Sequence, residues 1–217
     1  MATKTETIKS HILSAYTQHA LEHESFPTSV YKFCKENTIE EAEFYTFFAS
    51  LDSVKHAIWQ AFYDNAATLL AKNKNFDSLS RKDRLLTFFY TFFEVLLLNR
   101  SYVLFALHEN AQPMKNLGQM KQLRRSVKAF AQELIEEGNE DKTRLAQNPT
   151  ELFSEATWGQ LLLLMKFWMN DSSPSFEKTD ALIEKSVTVA FEVFDNTRLD
   201  TLLDFGKFLW KETTAKA

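Results

Sequence analysis

The stretch TSVYKFCKENTIEEAEFYTFFASLDSV, Thr28–Val54, reads as two short helices, a turn and the entry to a third. Thr28 and Ser29 stand where they can cap the first helix, which then carries Val30, Phe33 and Cys34 on one face. Glu36-Asn37-Thr38 interrupts the pattern, and Ile39, Ala42, Phe44, Tyr45 and Phe48 resume it. Ser50 opens the third helix, with Asp52 and Ser53 in its first turn and Val54, Ala57, Ile58 and Phe62 at helical spacing. Two short helices packed beneath a longer one describe a helix-turn-helix. The buried layer expected of it is Val30, Phe33, Ile39, Phe44, Tyr45 and Phe48; the exposed layer holds Glu36, Glu40, Glu41 and Glu43.

Outside this stretch the chain is helical in character. Only 4 Gly and 4 Pro interrupt its amphipathic segments, so the expected fold class is all-α. The single cysteine, Cys34, excludes an internal disulfide and fits a reducing compartment. No charged-then-apolar leader precedes the first helix, and the longest apolar run, Leu85–Leu98, is shorter than the roughly 20 residues a membrane span needs. The reading is a cytoplasmic protein with no transmembrane segment. Net charge is −4, which predicts no general affinity for nucleic acid. The 20 Phe and 4 Trp call for a bulky aromatic core or an apolar cavity.

Taken in order, a first helix over Glu6–His23 buries Ile8, Ile12, Leu13, Tyr16 and Ala20. His19 and His23 share one side of it, but two imidazoles with no third ligand are an ordinary surface pair, so no metal is expected. The third helix of the opening unit runs to about Lys72. Ser80-Arg81-Lys82-Asp83 has capping-box spacing and starts a helix to Asn99 that is apolar nearly all round, which makes it the expected centre of the larger domain. A short helix Tyr102–Glu109 follows, then one continuous helix over about Met114–Glu137, closed by Gly138 as its cap. Asn139–Asn148 reads as a loop. The helix Thr150–Asn170 is apolar on more faces than the outside of a monomer should show, which suggests a subunit interface with the helix Phe176–Asp195 as its partner and Leu161, Leu164, Trp168, Val187, Phe191 and Phe194 as candidates. A last amphipathic helix spans Arg198–Lys211.

About ten helices, three in a small N-terminal unit, make a chain that resembles the TetR family of ligand-responsive repressors. The segments that carry the likeness are Ile12-Leu13-Ser14-Ala15, Thr28–Cys34, Phe44-Tyr45-Thr46-Phe47-Phe48 and Ser50-Leu51-Asp52-Ser53-Val54. The resemblance implies an N-terminal helix-turn-helix unit, residues 1–56, and a C-terminal ligand-binding and dimerisation domain, residues 57–217. It also implies a homodimer without a cofactor. The positions it turns toward DNA are Thr28, Ser29, Lys32, Lys35, Glu40, Glu41, Glu43, Tyr45 and Thr46. Family members begin the recognition helix small and basic, as Gly-Val-Ser-Lys-Gly-Thr, and offer a Lys near the start of the next. Here stand Ile39-Glu40-Glu41-Ala42-Glu43, and Leu51 in place of that Lys. Thr28–Phe48 holds two Lys against four Glu, a net −2, and carboxylates facing a phosphate backbone oppose binding. DNA is therefore a partner disfavoured by charge.

The implied ligand is an apolar small molecule or lipid, with Phe89, Phe93, Tyr102, Phe105, Phe130, Trp158, Met165 and Trp168 as candidate pocket residues and Arg100 and His108 as weak polar ones. The alternative reading for these aromatics is that they only fill a core. A second branch of the fold, lipid-binding proteins of ubiquinone biosynthesis, holds an isoprenoid or phospholipid and does not act on DNA; the acidic recognition helix is similar to what that role tolerates. No phosphate loop, G-x-S-x-G, H-E-x-x-H or Cys cluster is present, so an enzyme is not expected.

Overall fold

The computed structural model describes residues 4–109, 113–140 and 147–196, and the described residues are helical with no strand. The elements are α1 (Lys4–Glu22), α2 (Val30–Glu36), α3 (Glu41–Phe47), α4 (Leu51–Lys72), α5 (Arg81–Leu98), α6 (Arg100–Leu107), α7 (Pro113–Leu117), α8 (Lys121–Asn139), α9 (Thr150–Asn170) and α10 (Glu177–Asn196). The expected helix Arg198–Lys211 lies outside the described residues. No single helix among those described is long and apolar enough to cross a membrane.

The chain forms two compact units, one of Met1–Asn73 with Thr91–Val127 and the other of Lys74–Tyr90 with Lys128–Ala217. In the first, Ile12, Tyr16 and Ala20 of α1 are wholly buried. Tyr16 meets Phe33 edge-on at 6.0 Å between centroids, and Phe33 meets Phe44 at 6.2 Å. These aromatic edges join α1, α2 and α3 into one small core. The caps read from local spacing are present: the Ser29 hydroxyl accepts from the Lys32 N–H, and Ser50 and Ser53 form a reciprocal capping box at the start of α4.

The expected continuous helix over Met114–Glu137 is broken. α7 ends at Leu117, Gly118–Met120 forms a 3-10 turn, and α8 starts at Lys121. A partner remote in sequence stands at the break. Trp59 Nε1 donates to Gln119 Oε1 at 2.9 Å while Gln119 Nε2 donates to the Ala106 carbonyl at 2.9 Å. Met120 is wholly buried beside them. Gln119 and Met120, both buried, stand in this tighter turn.

In the second unit Phe88 packs on Phe130 at 4.8 Å, and Lys128 bridges Glu151 and Glu155, each at 2.7 Å. These hydrogen bonds hold the Lys128 ammonium above its ordinary value. Gly138 is not a cap but lies inside α8: a side chain there would meet the Arg81 guanidinium. The Asn139 side chain then closes Asn139–Asn148 by donating to the Asn148 carbonyl and accepting from the Asn148 N–H. Between α9 and α10, Asp171 accepts the hydroxyls and backbone N–H groups of both Ser173 and Thr179. The Ser173 hydroxyl, more than any other group, holds the Asp171 carboxyl well below the usual carboxylate range.

Candidate functional site

The helix-turn-helix is well built inside. Phe33, Cys34, Ile39, Phe44 and Phe48 are buried, and burial pushes the Cys34 thiol up, away from the reactive thiolate. Val30 is half-buried. Tyr45, expected in this layer, is 52 % exposed and lies edge-on to Phe44. The correction is steric: Phe33, Phe44 and Phe48 already fill the space beneath α3. At the turn, Asn37 donates from its side chain to the Phe33 carbonyl, the Ile39 N–H bonds the Cys34 carbonyl, and Thr38 is left at φ 55°. Glycine occupies that conformation freely; a β-branched residue does so at a cost.

Outside, the surface is acidic. Glu40 is the N-cap of α3 with no side-chain hydrogen bond, and Glu41 and Glu43 occupy its first turn. Carboxylates there offset the positive end of the helix, which in a DNA reader is free to face phosphate. Of the expected DNA-facing residues, Thr28, Lys32, Lys35, Glu40, Glu41, Tyr45 and Thr46 are exposed, and Ser29 and Glu43 are half-buried. Lys35 lies 6.0 Å from the centroid of the Tyr31 ring, itself 61 % exposed. Lys55 on α4 adds nothing to this face: it pairs with Glu109 and sits 3.9 Å over the Phe26 ring. That commitment was invisible in the sequence, since its partner stands 54 residues away.

α9 divides into two faces. Leu161, Leu164 and Trp168 are buried, as is Val187 on α10, so these four expected interface residues sit inside the protomer. Phe191 is half-buried beside a hollow of about 20 Å³, and the side chain of Phe194 lies outside the described residues. α9 leaves Leu152, Ala156, Gly159, Leu163 and Phe167 exposed, with Glu151, Lys166 and Asn170. With Leu182, Val189 and Ala190 of α10, part of this face forms an apolar groove of about 510 Å³. The apolar excess read from the sequence is thus present on both halves of α9, and the residues named from it lie on the inward half.

Among the candidate pocket residues, Phe89, Phe93, Tyr102, Trp158, Met165 and Trp168 are buried, and Phe105 and Phe130 are half-buried. Phe130 stacks against Phe88, and Phe105 lies 4.9 Å from Phe26. Tyr102 also lines an open cleft of about 820 Å³ bounded by α1, α4 and the corner between α5 and α6. Sequence reasoning missed this cleft, because its walls come from three separate stretches of chain. His19 and His23 stack at 4.2 Å, and burial, with His23 beside it, lowers His19 from its ordinary value. Among the described residues no group of three or more His, Cys, Asp or Glu could hold a metal ion.

Residues 84–209, more than half of the chain, match the family model described as "Tetracyclin repressor-like, C-terminal domain". The chain belongs to the TetR family of transcriptional regulators. Two solved TetR-family regulators share the fold. One from Syntrophomonas wolfei is 11% identical with a TM-score of 0.68, covering 89% of this chain and 97% of that one. One from Shewanella sp. PV-4 is 16% identical with a TM-score of 0.50, covering 89% and 96%. No curated protein sequence matches the chain. The TetR fold is thus shared, with Glu40, Glu41 and Glu43 standing at the start of α3.

Proposed function

We propose that this TetR-family protein is a homodimeric, ligand-responsive regulator of the cytoplasm, without a catalytic step, whose contact with DNA is weakened by its acidic face. The observation that carries the reading is the intact helix-turn-helix, capped by Ser29 and Ser50, under a chain that matches the family. In this reading residues 1–56 are the output unit, and residues 57–217 bind ligand and pair the protomers. An apolar molecule changes the separation of the two output units, which must lie roughly 34–36 Å apart to reach successive turns of a duplex.

Pairing through the exposed face of α9 is supported by Gly159. A glycine inside a helix costs about 1 kcal/mol against alanine. Among the described residues, nothing outside its own stretch of helix lies within 4 Å of the position its Cβ would take, so their packing does not require a glycine. A second copy's helix approaching closely between Ala156 and Leu163 accounts for it.

The reading is tested by fluorescence anisotropy of the purified protein on its own promoter region and on a random duplex at low salt. A preference for the promoter supports it; equal binding overturns direct DNA regulation. Equal binding would favour a second reading, a lipid-binding TetR-fold protein that does not act on DNA, for which the carboxylates on α3 speak. Native mass spectrometry checks that alternative, and the absence of any co-purifying lipid would end it.

A further inference from the structure

The loop between α1 and α2 brings Phe26 back into the first unit, where its ring touches α1, α4 and α6. The ring stacks on Tyr16 at 5.7 Å between centroids, meets Tyr102 edge-on at 6.4 Å and lies tilted on Phe105 at 4.9 Å. The Lys55 ammonium stands 3.9 Å from its centroid and also donates to the Glu109 carboxylate, just beyond the end of α6, at 2.5 Å. One cation of α4 therefore fastens both the loop and α6. The Lys55 side chain is 13 % exposed and that of Glu109 30 %, so the pair is shielded from the water and salt that weaken a surface pair. The face of an aromatic ring adds further attraction for the same charge.

The two tyrosines flanking Phe26 act in the opposite sense. Tyr16 and Tyr102 are both wholly buried, and among the described residues neither hydroxyl has a hydrogen-bond partner. Burial, more than any other influence, raises both phenols above their ordinary pKa. Each keeps its proton and stays a donor without an acceptor. A donor buried in this way costs stability that an apolar group of the same shape would not, and the cost is relieved wherever water can reach it. Two such groups beside one aromatic contact favour its opening, while Lys55 favours its closure.

We propose that Lys55 is the strap of a two-state joint between the helix-turn-helix and α6, closed while it holds Glu109 and Phe26 and open when water reaches the Tyr16 and Tyr102 hydroxyls. In the open state Phe26 withdraws from the three rings around it. α1 is then released from α6, and it carries α2 and α3 with it through the Tyr16–Phe33 and Phe33–Phe44 contacts. The joint is a property of the fold, whereas its effect on DNA contact rests on the regulator reading above.

The test is hydrogen exchange of the full-length protein, read by mass spectrometry on peptides covering Tyr16 and Tyr102, with α9 as the internal reference. Lys55→Met should speed exchange about tenfold in both peptides and leave α9 unchanged. Glu109→Gln, which spares the contact with Phe26, should speed it about threefold. Tyr16→Phe and Tyr102→Phe each remove an unpartnered hydroxyl without changing the ring, and should slow exchange about tenfold. Faster or unchanged exchange in the Phe variants overturns the proposal, because it would show that the closed state satisfies those hydroxyls. So does unchanged exchange in Lys55→Met, or acceleration that reaches α9 equally, which is a loss of global stability rather than an opening. Exchange that shifts as expected, beside promoter binding equal to binding to random DNA, would leave the joint standing and overturn the regulator reading.

Discussion

The helix-turn-helix and the α9–α10 hairpin are built to the same standard inside and differ in what they turn outward. α2 and α3 close over Phe33, Phe44 and Phe48, and present carboxylates and two tyrosines. α9 closes over Leu161, Leu164 and Trp168, and presents Leu163, Phe167 and a glycine. The first surface repels a polyanion while remaining hydrated; the second is costly to leave in water. Their turns differ as well. Asp171 ties the hairpin turn with four hydrogen bonds, whereas Thr38 holds the helix-turn-helix turn in a conformation suited to glycine. The buried layers keep the TetR fold, and the exposed layers set what each region meets.

The strongest way to break this comparison is on α9. Leu163 is 58 % exposed, so Leu163→Asp should leave the protomer folded while weakening dimerisation about a hundredfold or more, read by sedimentation equilibrium. Trp168→Ala, one face away and 1 % exposed, should instead destabilise the protomer by about 3–5 kcal/mol in urea. A stable dimer carrying Leu163→Asp would show that the exposed face is not the one that pairs.

The hairpin turn gives a smaller effect with a definite sign. Because the folded protein lowers the Asp171 pKa, the carboxylate contributes stability at pH values above its unfolded value of about 3.9. That contribution is lost as pH falls through the unfolded value toward the folded one. Asp171→Asn should therefore be less stable than native protein at pH 7, and the gap should narrow in acid. A gap independent of pH would mean that the hydrogen bonds do not require the charge. The smallest effect is at the other turn: Thr38→Gly should stabilise by about 0.5–1 kcal/mol, the left-handed cost of threonine less the extra freedom of glycine when unfolded. Destabilisation would show that the Thr38 side chain does something there besides tolerate the turn.

What could be read in advance follows from the range of each interaction. Ser29, Ser50 and Ser80 announce helix starts because a cap and its N–H partner stand three residues apart, and all three accept such a bond. The break at Gly118 could not be read: Gln119 is bonded there by Trp59, 60 residues away. Tyr45 was legible as an aromatic in a packing pattern but not as the one left outside, which depends on how much room Phe44 and Phe48 leave. α9 was legible as over-apolar. Which half stays in water follows only once its own protomer has taken Trp168 inward.

On the proposed reading, the carboxylates at the start of α3 oppose the phosphate backbone of DNA. The most direct test is the salt dependence of promoter binding by native protein and by the Glu40→Lys, Glu41→Lys double variant. Reversal should strengthen binding about tenfold or more at low salt and steepen the dependence of log K on log salt by about one for each phosphate newly neutralised. Unchanged or weaker binding by the variant, with an unaltered slope, would contradict it and assign those glutamates to base edges, where a carboxylate accepts from cytosine N4.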